Sequence, residues 1–201
     1  KMIVKKFTLL FLGYGKKKTK LINFLQKKGI KVKHLSRKLK VNDLKGIDLI
    51  ISFGYNQILG KKILKNLKRP ALNLHISYLP HNRGSDPNFW SFINNTPKGI
   101  SIHEIDEGLD TGDIIFRKKI YMNPQKKKFS TFKKTYIYLI KEIEKLFISN
   151  FNLIINYQYS SFKQRGKKSF HKKSEIPELL EDWDTNILEF KKLYSKNLSK
   201  K

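Results

Sequence analysis

The chain has 201 residues, 39% of them hydrophobic, with no cysteine and 43 Lys and Arg against 16 Asp and Glu for a net charge of +27. The length and apolar share suit one main domain with its own core, and the lack of cysteine excludes a disulfide framework and any thiolate metal site. No apolar run reaches the roughly 20 residues that a spanning helix needs, so a soluble, cytoplasmic protein without a membrane span is expected.

The positive charge invites a nucleic-acid reading, because clustered cations neutralise phosphates. The cations are nearly all Lys, however, with Arg only at Arg37, Arg69, Arg83, Arg117 and Arg165. Arg is the better bidentate reader of phosphates and bases. Heavy use of Lys, Ile and Asn is also what AT-rich coding produces. The charge therefore reads first as a solvated basic surface, and second as a field that attracts an anionic substrate.

In chain order, Ile3–Gly13 reads as a first strand ending in Gly13-Tyr14-Gly15. A third glycine is missing from that turn, so it reads as a tight entry to a helix and not as a dinucleotide fingerprint. Lys18–Lys28 carries Leu21, Ile22, Phe24 and Leu25 at helical spacing, and Ile30–Leu35 is a second strand. Asp48–Gly54 is a continuous apolar run of the kind buried in parallel sheets. Leu59–Leu67 follows as a helix and Ala71–Leu74 as a strand. Ser77–Gly84 is a loop, Pro87–Ile93 a helix, and Gly99–Ile105 and Ile114–Ile120 are strands. Gln125–Ser149 repeats apolar residues every three or four positions as one long helix. Ile154–Phe170 reads as extended with a turn at Arg165-Gly166, and Trp183–Leu198 as a last helix. Strands alternating with helices give an α/β fold, Rossmann-like, with an open, mostly parallel twisted sheet flanked by helices and a short C-terminal hairpin and helix tail. Residues 1–151 are expected to form the catalytic domain and 152–201 that extension. Internal repeats and a low-complexity linker do not appear.

The chemistry concentrates between Asn73 and Asp113. Asn73 and His75 are two apart, so on a strand both point to one face, and Asp110 adds a carboxylate. Amide and imidazole donors can stabilise an oxyanion. An imidazole changes charge near neutrality, and a carboxylate can orient it or relay protons. Each residue alone has an ordinary structural reading, His75 as a hydrogen-bonded histidine and Asn73 as a strand-end asparagine. The joint pattern carries the inference. His103 reads as a structural histidine, and His34, His75, His81, His103 and His171 show no helix spacing suited to a metal, so none is expected.

The pattern Asn73-x-His75-x-Ser77-x-Leu79-Pro80-x-x-Arg83-Gly84, then Pro87-x-x-Trp90, then Asp106-x-Gly108-Leu109-Asp110-Thr111-Gly112-Asp113 resembles the catalytic core of the formyltransferases that use 10-formyltetrahydrofolate. The likeness runs from Leu49 to Phe116, and the front end looks abbreviated beside full-length relatives. The resemblance implies that Asn73, His75 and Asp110 are catalytic. It implies that Gln57, Ile58 and Leu59 line part of the folate pocket, the other reading of that loop being an ordinary strand-to-helix junction. Backbone from Glu107, Gly108 and Leu109 through Asp110 would wrap the pterin. Arg83 is either an anion holder or a tie between loops. Trp90 is set beside it on the acceptor side, although packing is its commoner role.

The resemblance lies closest to the sugar N-formyltransferases. Only some eighty residues follow Ile120, so the further β-barrel domain of the methionyl-tRNA branch is expected to be absent. The implied reaction moves a formyl group from 10-formyltetrahydrofolate to the amine of a nucleotide-linked amino sugar, dTDP- or GDP-linked for example, for surface polysaccharides such as O-antigen. Phosphoribosylglycinamide or methionyl-tRNA formylation and a non-catalytic basic nucleic-acid-binding protein are the alternatives. Expected partners are folate and the nucleotide sugar, with a homodimer allowed for and nucleic acid not expected.

Overall fold

The computed structural model describes residues 7–199, so the start of the first expected strand, Ile3–Lys6, and the last two lysines lie outside the described residues. The chain falls into two compact units interleaved in sequence. The first comprises the chain up to His75, Ile102–Phe116 and Glu144–Lys163; the second comprises Ile76–Ser101, Arg117–Ile143 and the chain from Gln164 onward.

The strands of the main sheet are β1 (Thr8–Gly13), β2 (Lys31–Leu35), β3 (Leu49–Phe53), β4 (Leu72–His75), β6 (Gly99–Glu104) and β7 (Ile114–Lys119), in the order β2-β1-β3-β4-β6-β7. The pairings β1 with β2, β1 with β3 and β3 with β4 are parallel. At the start of β7 the chain doubles back on β6, where the Glu104 amide donates to the Asp113 carbonyl at 2.8 Å. The result is the expected Rossmann-like α/β fold with a mostly parallel sheet. Every residue of β3 is buried, as its unbroken apolar run requires when both faces are covered. Edge strand β2 is only half apolar and carries Lys31 and Lys33, charges that discourage pairing with another chain.

In the first unit, α1 (Leu21–Lys27) buries Leu21, Ile22 and Leu25. Gly13, at φ +96°, explains the glycine turn after β1, because a Cβ there would lie 2.3 Å from the Phe53 carbonyl oxygen. Close approach of β1 to β3 demands it. Helix α2 (Lys61–Leu64) is shorter than the expected Leu59–Leu67. The Asn66 side chain donates to the Lys62 carbonyl at 2.8 Å, offering the backbone an alternative to the next helical turn. Pro70 bars helix for the residue before it. Leu59, Ile63 and Ala71 pack with Leu10, Leu12 and Ile50 in one apolar cluster.

The second unit contains β5 (Arg83–Gly84), α3 (Pro87–Ile93), β8 (Phe170–His171) and α6 (Ile187–Leu198). Its core is aromatic: the Phe89 ring lies 5.0 Å from Phe132 and 5.6 Å from Phe190, centroid to centroid. Helix α4 (Phe132–Ser149) begins later than Gln125. Lys127–Phe129 is a single 3₁₀ turn, and the Thr131 hydroxyl accepts from the Lys134 amide at 3.3 Å, as an N-cap does. Asn186 caps α6 in the same way, accepting from Leu188 and Glu189, and so sets its start after the expected Trp183.

Beyond α4, α5 (Phe151–Ile155) takes up the start of the stretch expected to be extended. The rest does not close on itself as a hairpin. Phe162 bridges antiparallel to Ile114 in the first unit, and β8 pairs in parallel with β5 in the second. Long-range partners replace the expected local one.

Helix α1 has no acidic residue in its first turn, and its N-cap residue Lys20 makes no side-chain capping bond, although the Thr19 hydroxyl accepts from the Leu21 amide at 3.2 Å. Glu144 fills the role from α4, buried and accepting from the Thr19 hydroxyl at 2.7 Å and the Lys20 amide at 3.0 Å. A carboxylate there also meets the positive end of the helix dipole. Glu144→Leu is expected to lower unfolding free energy by about 2 kcal/mol, the cost of stranding two donors of a charged hydrogen bond. Urea denaturation checks it, and no change in midpoint would remove Glu144 from this role.

Candidate functional site

Strand β4 alternates: Leu72 and Leu74 are buried among apolar residues, and Asn73 and His75 take the other face. The turn between β6 and β7 brings Asp110 to them. In that turn the Asp106 carboxylate accepts from the Thr111 hydroxyl at 2.5 Å and the Gly108 amide at 3.1 Å, an Asx-type closure. Asp110 itself sits at φ +53°, a left-handed conformation that Asp tolerates better than most residues. Gly112 is required, since a Cβ would fall 1.9 Å from the Glu104 carbonyl oxygen.

The Asn73 amino group donates to Asp110 Oδ1 at 3.1 Å and meets His103 Nε2 at 3.2 Å. His103, on β6, is 2% exposed, and its Nδ1 lies 2.7 Å from the Glu104 carbonyl oxygen. A carbonyl only accepts, so Nδ1 carries the hydrogen and Nε2 offers a lone pair to Asn73. Both partners of the carboxamide are acceptors, which fixes its amino side toward them. His75 Nδ1 stands 3.7 Å from Asp110 Oδ2, and His103 Nε2 stands 3.4 Å from Oδ1. Each carboxylate oxygen thus faces one imidazole, and the two rings are nearly perpendicular, 6.2 Å apart. With the His75 and Asp110 side chains only 9% and 10% exposed, water screens these contacts little.

The three residues expected to be catalytic are therefore together, and a fourth, His103, joins them. Its signal was its place opposite Asn73 on a neighbouring strand, which the sequence shows only once that pairing is known.

The two expected folate-holding segments lie within reach of one another, with Lys61 Nζ 3.8 Å from Glu107 Oε1. Within them, Gln57, Glu107 and Gly108 are exposed. Ile58 and Leu109 expose apolar side chains, and Leu59 turns into the core. The same turn walls an open cleft of about 430 Å³ with Leu64, Leu67, Arg69, Glu104, Ile105 and Asp113. Burial and the neighbouring Asp113 push the Glu104 carboxyl up from its ordinary range. Arg83 and Trp90 belong to the second unit. Arg83 donates through Nε and Nη2 to Gln164 Oε1 at 3.2 and 2.7 Å. The Trp90 ring is stacked on His171 at 4.1 Å, and its indole N–H is buried without a partner.

A family model described as formyl transferase matches residues 11–136, which contain Asn73, His75 and Asp110. The crystal structure of the formyltransferase PseJ from Anoxybacillus kamchatkensis, in complex with UDP-4,6-dideoxy-4-formamido-L-AltNAc and tetrahydrofolate, is similar at a TM-score of 0.81 and 39% identity. That likeness covers 90% of this chain and 96% of PseJ. The methionyl-tRNA formyltransferase of Agathobacter rectalis is 31% identical over 148 residues, 73% of this chain and 46% of that protein. The GDP-perosamine N-formyltransferase of Brucella melitensis is 30% identical over 131 residues, 65% of this chain and 48% of that protein. The chain thus spans about half the length of these two curated relatives.

The turn predicts its own sensitivity. Gly112→Ala should displace Asp110 and shift the ring resonances of His75 and His103 in carbon–proton NMR spectra. Gly60→Ala, where an added Cβ meets nothing within 4 Å, should leave both rings unchanged. Equal spectra for the two variants would contradict the role given to Gly112.

Proposed function

We propose that this chain, which belongs to the formyl transferase family, moves a formyl group from 10-formyltetrahydrofolate to the amine of a nucleotide-linked amino sugar. The observation that carries the reading is the meeting of Asn73, His75 and Asp110 within hydrogen-bonding or ion-pairing reach. The likeness to PseJ along nearly the whole of both chains supports a sugar acceptor over the other branches.

In this reading the neutral amine attacks the formyl carbon, the carbonyl oxygen becomes an oxyanion, and the bond to the folate nitrogen breaks. The attacking nitrogen loses a proton and the leaving folate nitrogen gains one, so the site has to carry one proton across. His75, its Nδ1 turned to Asp110, addresses the reacting group through Nε2. There it donates to the oxyanion or hands on the proton while the carboxylate holds the ring and stabilises its charged form. Gln57, Ile58 and Leu59, with backbone from Glu107, Gly108 and Leu109, hold the folate, the exposed Ile58 and Leu109 side chains offering apolar contact. Arg83 and Trp90 serve the acceptor, the unpartnered indole N–H being a donor that a sugar or phosphate oxygen would satisfy. The basic surface concentrates such an anionic substrate. The formylated sugar nucleotide is of the kind that surface polysaccharides consume.

The test is to mix the chain with 10-formyltetrahydrofolate and UDP-, GDP- and dTDP-linked amino sugars, with glycinamide ribonucleotide and methionyl-tRNA as controls. Mass spectrometry would read the gain of a formyl group. One sugar is expected to react, with kcat/KM falling about 10³-fold in His75→Ala and in Asp110→Ala. Reaction of a control alone would move the chain to that branch, and full activity in either variant would remove the assigned mechanism.

A further inference from the structure

We propose that Asp86 is a specificity residue of the acceptor side, a carboxylate that accepts from the paired hydroxyls of a ribose and so selects UDP- or GDP-linked sugars over 2′-deoxyribose ones such as dTDP-linked sugars. The proposal rests on the sugar-nucleotide reading above. Its grounds lie within the second unit. Asp86 stands in the chain between β5 and α3, half-buried, and among the described residues no hydrogen bond or ion pair reaches its carboxylate. Burial pushes that carboxyl up, and the charge of Lys173 only partly offsets it. A carboxylate kept from water without a donor is costly, and a polar group left so in a native fold calls for a partner.

Capping, the ordinary work of an Asp ahead of a helix, is not what it does. An N-cap residue has extended backbone, and its side chain accepts from the second or third helical amide. Asp86 has φ +51° and ψ +44°, and its side chain makes no such bond. The residue before a proline is steered to extended backbone, so left-handed Asp86 ahead of Pro87 is disfavoured twice over. It is held there from both sides, the Ser85 amide donating to the His171 carbonyl at 2.9 Å and the Trp90 amide to the Asp86 carbonyl at 3.2 Å. Backbone strain kept by such contacts gathers where a group serves a ligand. The buried indole N–H of Trp90, four residues on, also lacks a partner. An acceptor and a donor thus stand unmet close together, and a hydroxyl, which both donates and accepts, answers the two.

The ribose is the better match among the parts of a sugar nucleotide. Its cis-diol sets two hydroxyls side by side, and one carboxylate has two oxygens to receive them, as acidic residues read ribose in dinucleotide-binding folds. The amino sugar has given up a hydroxyl where it bears its amine. The phosphates are repelled by Asp86 and fall to cations such as Arg83. A site built to bond a hydroxyl rejects the analogue without it, because its polar groups are then buried unpaired.

Two variants test this with the backbone kept. Asp86→Gly removes the carboxylate, and glycine takes left-handed backbone freely; Asp86→Asn keeps one acceptor oxygen and tolerates the same conformation. UDP and GDP would each be titrated by calorimetry beside their 2′-deoxy counterparts, with tetrahydrofolate as control. One ribonucleotide should bind the parent chain at least about tenfold tighter than its deoxy form, as the loss of a hydrogen bond to a charged group implies. In Asp86→Gly that ratio should fall to within about twofold through lost ribonucleotide affinity alone, with Asp86→Asn keeping part of it. The thermal midpoint of Asp86→Gly should not fall, and its tetrahydrofolate Kd should stay within about threefold. Equal affinities for ribo and deoxy forms on the parent would overturn the proposal. So would a preference that Asp86→Gly retains, the absence of any nucleotide binding, or a midpoint and folate affinity that fall together with the nucleotide's. If the parent formylates no sugar nucleotide, the reaction reading fails in its own assay, and the paired affinities still decide whether Asp86 holds a ribose.

Discussion

A carboxylate held almost out of water is the constraint on which the site depends. Asp110 is 10% exposed on its side chain, and an ionised group so placed is tolerable only when charge and hydrogen bonds compensate it. Asn73 supplies a hydrogen bond and His75 turns its Nδ1 to the other carboxylate oxygen. Both partners stand on β4, so satisfying one carboxylate ties that strand to the turn that carries it. The left-handed backbone at Asp110 costs of order 1–3 kcal/mol, and Gly112 lets the chain pass the Glu104 carbonyl where a Cβ could not. Strain of that kind persists where the surroundings over-determine it, and here it aims a functional group.

The fold was legible because its signals are local. A continuous apolar run such as Leu49–Phe53 has few homes other than the centre of a parallel sheet, and Pro87 opens α3 where a first-turn proline should. Asn73 and His75 were legible as a pair through strand parity, and Asp110 through a resemblance to a family pattern. His103 was not, because its meaning comes from β4 beside it and not from its neighbours in sequence. The same reason underlies the missed hairpin: Phe170–His171 finds its partner at Arg83–Gly84, and pairing over such a distance leaves no turn signal between the strands. Helix ends failed more gently. Side chains decided them, Asn66 stopping α2, Thr131 delaying α4 and Asn186 starting α6.

The charge imbalance has a structural side. With 16 acidic residues against 43 Lys and Arg, acids are scarce, and many of the described ones have definite work. Glu144 caps α1, Asp48 accepts from the Thr8 amide, Asp43 holds Arg37, Asp184 joins Thr131 and Lys133, and Asp110 organises the site. The Arg37 guanidinium and the Lys40 amide hold the Asp43 carboxyl down at about 2. A surface so short of anions keeps most of its lysines in solvent, where they create a general positive field and little specific recognition.

The central claim is that His75 and Asp110 act as one device, and a double-mutant cycle on kcat/KM tests it most directly. Groups that work as a unit give losses that do not multiply. The account predicts that His75→Ala with Asp110→Ala together lose little more than the worse single variant. Losses that multiply across the cycle would show two independent contributions and would contradict it.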